Sequence, residues 1–187
     1  MSLPLGHLAI GMTAYDICSD SVSVFRHWQT AALVAALANL PDIDMIIGLI
    51  LQGNGSAFHR GPSHSIVFAL VMSLLAANGW KIMPRLPRIG FPVCFVIIMS
   101  HLLADFFFSG GGQVSFIWPL AVGYSDGYRD LGNIVYAALQ VYKDFGIIMG
   151  CGTLVVCRRL VGPDVALFNL APGKLPAIRS QKQEFGR

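Results

Sequence analysis

The sequence predicts an all-α, polytopic helical membrane protein with a metal site between its helices. Hydrophobic residues fill 55% of the 187 positions and charged residues only 12%, whereas soluble domains carry about 25% charged residues. The apolar runs have the length of helices and lack the alternation of β-barrel strands. Histidines and aspartates interrupt these runs, and such residues are costly in a bilayer unless they face a partner or a metal. We expect one transmembrane domain over residues 1–160 and a basic cytoplasmic tail over 161–187.

The first half of the chain contains two apolar stretches and a polar loop. Residues 3–18 predict a short first helix packed against the others. Residues 28–51 form a long run in which Pro41 predicts a kink or break, because proline removes a backbone donor and clashes with the preceding turn. Broken backbone at membrane depth is tolerated where it lines a cavity. The loop over residues 52–65 follows, with Ser63 as the expected N-cap of the next helix.

The second half contains the longest uninterrupted apolar run. Residues 66–80 and 91–108 are both apolar, and a short basic loop separates them. His101 and Asp105 lie four positions apart in the second run, so on a helix they share one face with Cβ atoms about 5–6 Å apart. A glycine-rich loop over residues 109–130 leads to the last apolar stretch, 131–157. Lys143 and Asp144 interrupt that stretch, which predicts an interfacial helix followed by a short span.

The distribution of basic residues predicts the topology, since lysine and arginine in short loops mark the cytoplasmic side. Three cations fall in the loop over residues 81–90, and six cations against two acids fall in the tail from Arg158. Residues 52–65 and 109–130 then lie on the opposite side. We therefore expect a multi-pass membrane protein whose functional site faces away from the cytoplasm.

The predicted topology places seven histidines and aspartates on this outer side, although the rule that gives the topology counts only lysine and arginine. They are His7, Asp42, Asp44, His59, His64, His101 and Asp105. Imidazole together with carboxylate suits zinc, manganese or iron, and buried carboxylates repel one another unless a cation offsets their charge. The expected cofactor is one or two divalent ions, with zinc first and manganese or iron as alternatives.

Each member of this set also has a purely structural interpretation. His101 with Asp105 could form an interhelical hydrogen-bonded pair, and His59, His64 or His7 could be ordinary polar residues of loops and helix starts. Asp42 and Asp44 do not face the same way on a regular helix. Either the break at Pro41 lets both point inward, or only one is a ligand and the other orients a histidine. Arg60 either binds an anionic group through its planar guanidinium or reaches toward lipid headgroups.

Several short motifs together resemble a known family. They are GHLAIG at 6–11, LPDID at 40–44, HRGPSHS at 59–65, SHLLAD at 100–105, and Trp118-Pro119 after a glycine-rich loop. Together they resemble the YdjM-type, LexA-binding, inner-membrane-associated metal-dependent hydrolases of bacteria and archaea. The resemblance covers about residues 5–120 and implies a metal site at the seven residues above, with Arg60 beside them. The family name implies a link to a DNA-damage repressor, but the sequence shows no nucleic-acid motif.

The predicted function is a membrane-embedded, metal-dependent hydrolase with phospholipase C-like chemistry. Its substrate would be a phosphoester or ester of a lipid-like molecule, since the site opens at headgroup depth. Asp44 would serve as a ligand or general base, and Arg60 would orient an anionic headgroup. The alternative is a divalent-metal transporter or metal sensor that uses the same ligands. Membrane lipid is the expected partner in either case.

Overall fold

The computed structural model describes residues 4–19, 27–108, 114–120 and 144–161. Within these ranges the regular structure consists of α-helices and short 3₁₀ turns, with no strand. The helices are α1 (Pro4–Cys18), α2 (Trp28–Asn39), α3 (Ile43–Gln52), α4 (Ile66–Asn78), α5 (Phe91–Phe108) and α6 (Phe145–Val161). The predicted helical class is therefore confirmed for the described part of the chain.

Helix α5 is the centre of the bundle. It packs against α1, α2 and α4. Its inward face carries Cys94, Ile97, Ile98 and Leu102, all fully buried, and the core continues onto α2. Burial of this apolar face fixes the rotation of α5 about its axis. His101 and Asp105 therefore point into the protein near the helix end.

Helices α1 and α2 approach closely because a glycine stands at their contact. A Cβ atom added to Gly11 would lie only 2.5 Å from the Cβ of Ala38. Small residues at such positions let two helix backbones come together and gain packing contacts that do not depend on water. This crossing brings the first turn of α1 beside the last turn of α2, where the candidate site lies.

The break predicted at Pro41 is confirmed. Helix α2 ends at Asn39, a 3₁₀ turn spans Leu40–Asp42, and α3 leaves at an angle of 56°. The predicted N-cap is wrong by two residues. Ser63 lies inside a second 3₁₀ turn, Pro62–His64, and Ser65 instead accepts a hydrogen bond from the Phe68 backbone N–H at the start of α4.

The predicted polytopic path is supported only in part. Among the described residues, α5 alone is long and apolar enough to cross a membrane. The bent pair α2–α3 would supply a second span if both halves are counted together, and the apolar segment Ile66–Lys81 is shorter. The multi-pass topology remains a prediction.

Helix α6 contacts α1 near both of its ends. The Asp144 carboxylate accepts a hydrogen bond from the Gly6 backbone N–H at 2.8 Å, immediately before α6 begins. At the other end, Arg158 and Arg159 both bind Asp16. The two helices therefore run parallel. The break predicted at residues 143–144 agrees with a helix that starts at Phe145, whereas residues 121–143 and the tail from 162 lie outside the described residues.

Candidate metal centre

All seven predicted ligands lie in one cluster, together with Arg60. His7 comes from the first turn of α1, Asp42 from the 3₁₀ turn after α2, and Asp44 from the first turn of α3. His59 and Arg60 come from the following loop, His64 from the second 3₁₀ turn, and His101 and Asp105 from the end of α5. The side chain of Asp42 is 21% exposed, while all the others are buried. Both Asp42 and Asp44 contact histidines of the cluster.

His101 is held in a defined tautomer. Its Nδ1 lies 2.7 Å from the backbone oxygen of Ala38. Because a carbonyl oxygen only accepts, Nδ1 must donate the hydrogen bond, which leaves Nε2 of the neutral ring as a lone-pair donor. That Nε2 atom is buried, has no hydrogen-bond partner, and lies 3.5 Å from Asp42 Oδ1.

His64 has the same arrangement on the opposite side of the cluster. Its Nδ1 lies 3.1 Å from Asp44 Oδ2 and 3.1 Å from Ser63 Oγ. Its Nε2 has no hydrogen-bond partner and lies 3.5 Å from Asp105 Oδ2 and 3.7 Å from Asp42 Oδ1. The Nε2 atoms of His64 and His101 are thus both buried, and both lie within 3.7 Å of Asp42 Oδ1.

Asp44 is engaged by several donors of the loop that follows α3. Its Oδ1 lies 3.1 Å from His59 Nδ1, and its Oδ2 accepts from the Arg60 backbone N–H at 3.2 Å and from the Ser63 hydroxyl. Oδ2 also contacts His64 Nδ1. A carboxylate with both oxygens occupied in this way orients histidines, as a residue behind the ligands of a metal site does.

Asp105 lies between His7 and Arg60. Its Oδ1 is 3.4 Å from His7 Nε2, and its Oδ2 is 3.4 Å from Arg60 Nε. The His7 ring is stacked on His101 with ring centroids 3.7 Å apart. Histidines from α1 and α5 therefore enter the cluster side by side, beside one aspartate.

The spacing of these atoms fits a metal ion better than direct hydrogen bonds. The nitrogen–oxygen distances of 3.4–3.7 Å exceed the usual hydrogen-bond range of about 2.7–3.2 Å. Two ligand atoms on a tetrahedral zinc ion, each about 2.0–2.1 Å from the metal, are about 3.3 Å apart. Asp42, His59, His64 and Asp105 offer ligand atoms within 4.8 Å of one another, and so do His7, His101 and Asp105.

The environment of His64 favours its protonated form when no metal competes. Burial disfavours the charged imidazole, but the nearby carboxylates of Asp105, Asp44 and Asp42 outweigh that cost. They raise the pKa of His64 to about 9. A divalent cation would replace this proton as the positive charge between the aspartates.

Arg60 is buried in the cluster wall, and its backbone has a φ of 64°. A non-glycine residue in this left-handed region is uncommon, and such residues often occur at binding sites. The conformation aims the backbone N–H at Asp44 and the guanidinium at Asp105. One residue thereby contacts two of the three carboxylates.

Three participants were not found by reasoning from the sequence. The backbone carbonyl of Ala38 has no side-chain signal at all. Ser63 was expected as a helix cap, but its hydroxyl binds Asp44. Asp144 contacts Gly6, next to His7, across a separation of 138 residues that no spacing rule covers. A lone acid directly before an apolar helix was the available signal for Asp144.

The model of the family described as YdjM inner membrane protein matches residues 1–158. The chain belongs to the YdjM inner membrane protein family. This confirms the family resemblance predicted from the motifs and supports a location in the inner membrane.

The chain is also similar to the inner membrane protein YbcI of Escherichia coli (strain K12). The two are 39% identical over 88 residues, which cover 44% of this chain and 49% of YbcI. The match therefore spans about half the length of that relative. No solved structure matches the chain.

Proposed function

We propose that this YdjM family member is a metal-dependent hydrolase embedded in the inner membrane. Its substrate would be a phosphoester or ester of a lipid-like molecule at the outer face. One observation carries the proposal: buried Nε2 atoms of His64 and His101, without hydrogen-bond partners, lie beside the carboxylates of Asp42 and Asp105. Such a set of donors binds zinc-like ions, and the membrane location supports a substrate that resides in lipid.

The residues present suit a divalent ion of the zinc, manganese or iron type. His64, His101, Asp42 and Asp105 are the proposed direct ligands, and His7 and His59 complete the set. When bound, such an ion acts as a Lewis acid toward the scissile group and makes water a stronger nucleophile near neutral pH.

Asp44 and Arg60 have separate roles in this proposal. Because donors occupy both oxygens of Asp44, we assign it to orienting His59 and His64; the prediction that it acts as ligand or general base remains open to test. Arg60 carries a guanidinium suited to an anionic headgroup, and its contact with Asp105 holds it at the cluster.

The transporter or sensor alternative makes a different structural demand. A transport route needs metal-binding side chains at several depths from one side of the membrane to the other. Within the described ranges, both candidate ligand groups lie at one end of the bundle, which favours a fixed site. Metal uptake into proteoliposomes without hydrolysis would support the alternative.

The test is metal analysis combined with hydrolysis assays on the full-length protein. The purified protein should contain divalent metal and cleave phospholipids or chromogenic phosphoester analogues. His101→Ala should lose both properties, whereas His27→Ala should keep them, because His27 is exposed at the start of α2, away from the cluster. Undiminished hydrolysis by His101→Ala after exhaustive chelation would refute the proposal.

A further inference from the structure

Asp105 belongs to two separate sets of ligand atoms. The first set contains Asp42, His59 and His64, and the second contains His7 and His101. Asp105 completes both. All the ligand atoms within each set lie within 4.8 Å of one another, which is close enough for one ion per set.

The two oxygens of Asp105 face different sets. Oδ1 lies 3.4 Å from His7 Nε2, and Oδ2 lies 3.5 Å from His64 Nε2. A carboxylate that presents one oxygen to each of two ligand groups has the geometry of a bridge between two metal ions.

Each set also contains a buried imidazole nitrogen that favours a ligand. The Nε2 of His64 in the first set and the Nε2 of His101 in the second are fully buried and have no hydrogen-bond partner. Leaving a buried polar atom unsatisfied costs free energy, so each of these nitrogens favours a ligand, and the two oxygens of Asp105 divide the ligands into two sets.

We propose that this site binds two divalent ions bridged by Asp105 and that the doubly loaded site accepts an anionic phosphoester. The proposal deepens the hydrolase function and rests on it for the identity of the substrate. The metal stoichiometry stands on the geometry alone.

The charges of the cluster select the substrate class. Asp42, Asp44 and Asp105 contribute three negative charges and Arg60 one positive charge, which leaves two net negative charges with neutral histidines. One divalent ion neutralises this charge, and a second leaves two net positive charges. A positively charged, poorly solvated site binds an anionic phosphodiester more strongly than a neutral carboxylic ester.

The experiment loads the full-length protein, purified in detergent, with Mn²⁺ alone. We expect about two ions per chain by elemental analysis and an electron paramagnetic resonance spectrum showing spin coupling, because paired ions in such sites lie about 3.5–4 Å apart. His101→Ala removes a ligand of the second set only, and His59→Ala removes one of the first set only. Each variant should bind about one ion and lose the coupling. His27→Ala is the matched control and should match the unmodified protein.

Inorganic phosphate tests the substrate class. It should perturb the spectrum of the doubly loaded protein, whereas a neutral carboxylic ester should leave it unchanged. If His101→Ala does not fold, His7→Ala addresses the same set. Saturation at one ion, or two ions without coupling, overturns the bridged site. A coupled pair of ions without hydrolysis of any phosphoester would support the bridged site and refute the proposed function. Phosphoester hydrolysis by a protein that binds only one ion would support the proposed function and refute the bridged site.

Discussion

The ring nitrogens of His64 and His101 are not equivalent in this protein. In both residues a hydrogen-bond partner holds Nδ1, and Nε2 faces the carboxylates of Asp42 or Asp105. The partners differ, since His101 uses a backbone carbonyl and His64 uses Asp44. Orientation of this kind normally raises the basicity of a metal-binding imidazole.

Asp44→Asn tests the orienting role of this carboxylate. An amide cannot accept from both histidines and from the Arg60 N–H at once, so His59 and His64 should lose their fixed orientation. We expect metal affinity to fall about 10–100-fold while the number of ions bound at saturation stays the same. Competition against a chromogenic chelator measures both quantities. Asp42→Asn, in contrast, should reduce the number of ions; a similar loss with Asp44→Asn would make Asp44 a direct ligand.

Metal affinity should increase with pH. His64 has a pKa of about 9 without metal, so below that pH an incoming ion must displace its proton. Each displaced proton contributes up to about tenfold in apparent affinity per pH unit. Titrations at several values between pH 6 and 8 should therefore show tighter binding at each step upward. Affinity that stays flat across this interval would show that His64 does not coordinate.

Sequence reasoning predicted which residues would meet but not what each does. The positive-inside rule and the apolar runs placed all seven histidines and aspartates on one side, and the structure brings them together. The role of Asp44 depends on how residues 59–64 fold back over the start of α3, with Arg60 in a left-handed conformation. No local spacing encodes that path, so the sequence left Asp42 and Asp44 indistinguishable.

At the level of the helices, proline explains both a success and an error of prediction. Pro41 ends α2 as expected, because its ring cannot continue the regular helix. Pro62 starts an additional 3₁₀ turn that takes up Ser63 and His64, so the cap of α4 shifts to Ser65. The helix itself was predicted correctly, and only its beginning was wrong.

The contact between α1 and α2 gives a test of helix packing. In Gly11→Ala the added methyl group would meet Ala38 at 2.5 Å, so the helices must separate. We expect a loss of about 1–3 kcal/mol in stability, as for other overpacked cores, and weaker metal binding because His7 moves with α1. Thermal unfolding in detergent, with and without metal, measures the change.

Gly150→Ala is the matched control for that substitution. No described atom lies within 4 Å of a Cβ at this position on α6. Alanine should therefore be neutral or stabilising by up to about 1 kcal/mol through helix propensity. If Gly11→Ala were as well tolerated as Gly150→Ala, the close α1–α2 contact would be incorrect.

Across the whole molecule, the basic loop and the candidate metal ligands lie at opposite ends of α5. Lys81, Arg85 and Arg88 precede its beginning, while the candidate ligands His101 and Asp105 lie in its last turns. The helix spans about 27 Å between these ends, close to the thickness of a bilayer core. This separation agrees with the predicted orientation, in which the site faces away from the cytoplasm.

Cysteine labelling tests that orientation. Gln52 at the end of α3 and Met83 in the basic loop are both exposed. In spheroplasts, a membrane-impermeant maleimide should label Gln52→Cys and should reach Met83→Cys only after the membrane is permeabilised, because the positive-inside rule retains the basic loop in the cytoplasm. The unsubstituted protein gives the background from the native cysteines. The opposite pattern would place the site on the cytoplasmic side.

The number of membrane passes was the least predictable property. Hydropathy detects apolar sequence but not where a helix ends, and Ile66–Lys81 proves shorter than a full span. The first half of the last predicted apolar stretch, residues 131–143, lies outside the described residues. The multi-pass topology therefore stays a prediction, and the labelling experiment tests two of its loops.

The 56° bend after α2 has a practical consequence for handling the protein. Helix α3 turns Ile43, Ile46, Ile47, Ile50 and Leu51 outward, on the helix that also supplies Asp44. A detergent micelle that fails to cover these exposed apolar side chains would leave α3 in contact with water. Any rearrangement of α3 would then displace Asp44, which the same helix carries. Extraction conditions should therefore be screened by retained metal, since a monodisperse elution peak alone would not report damage there.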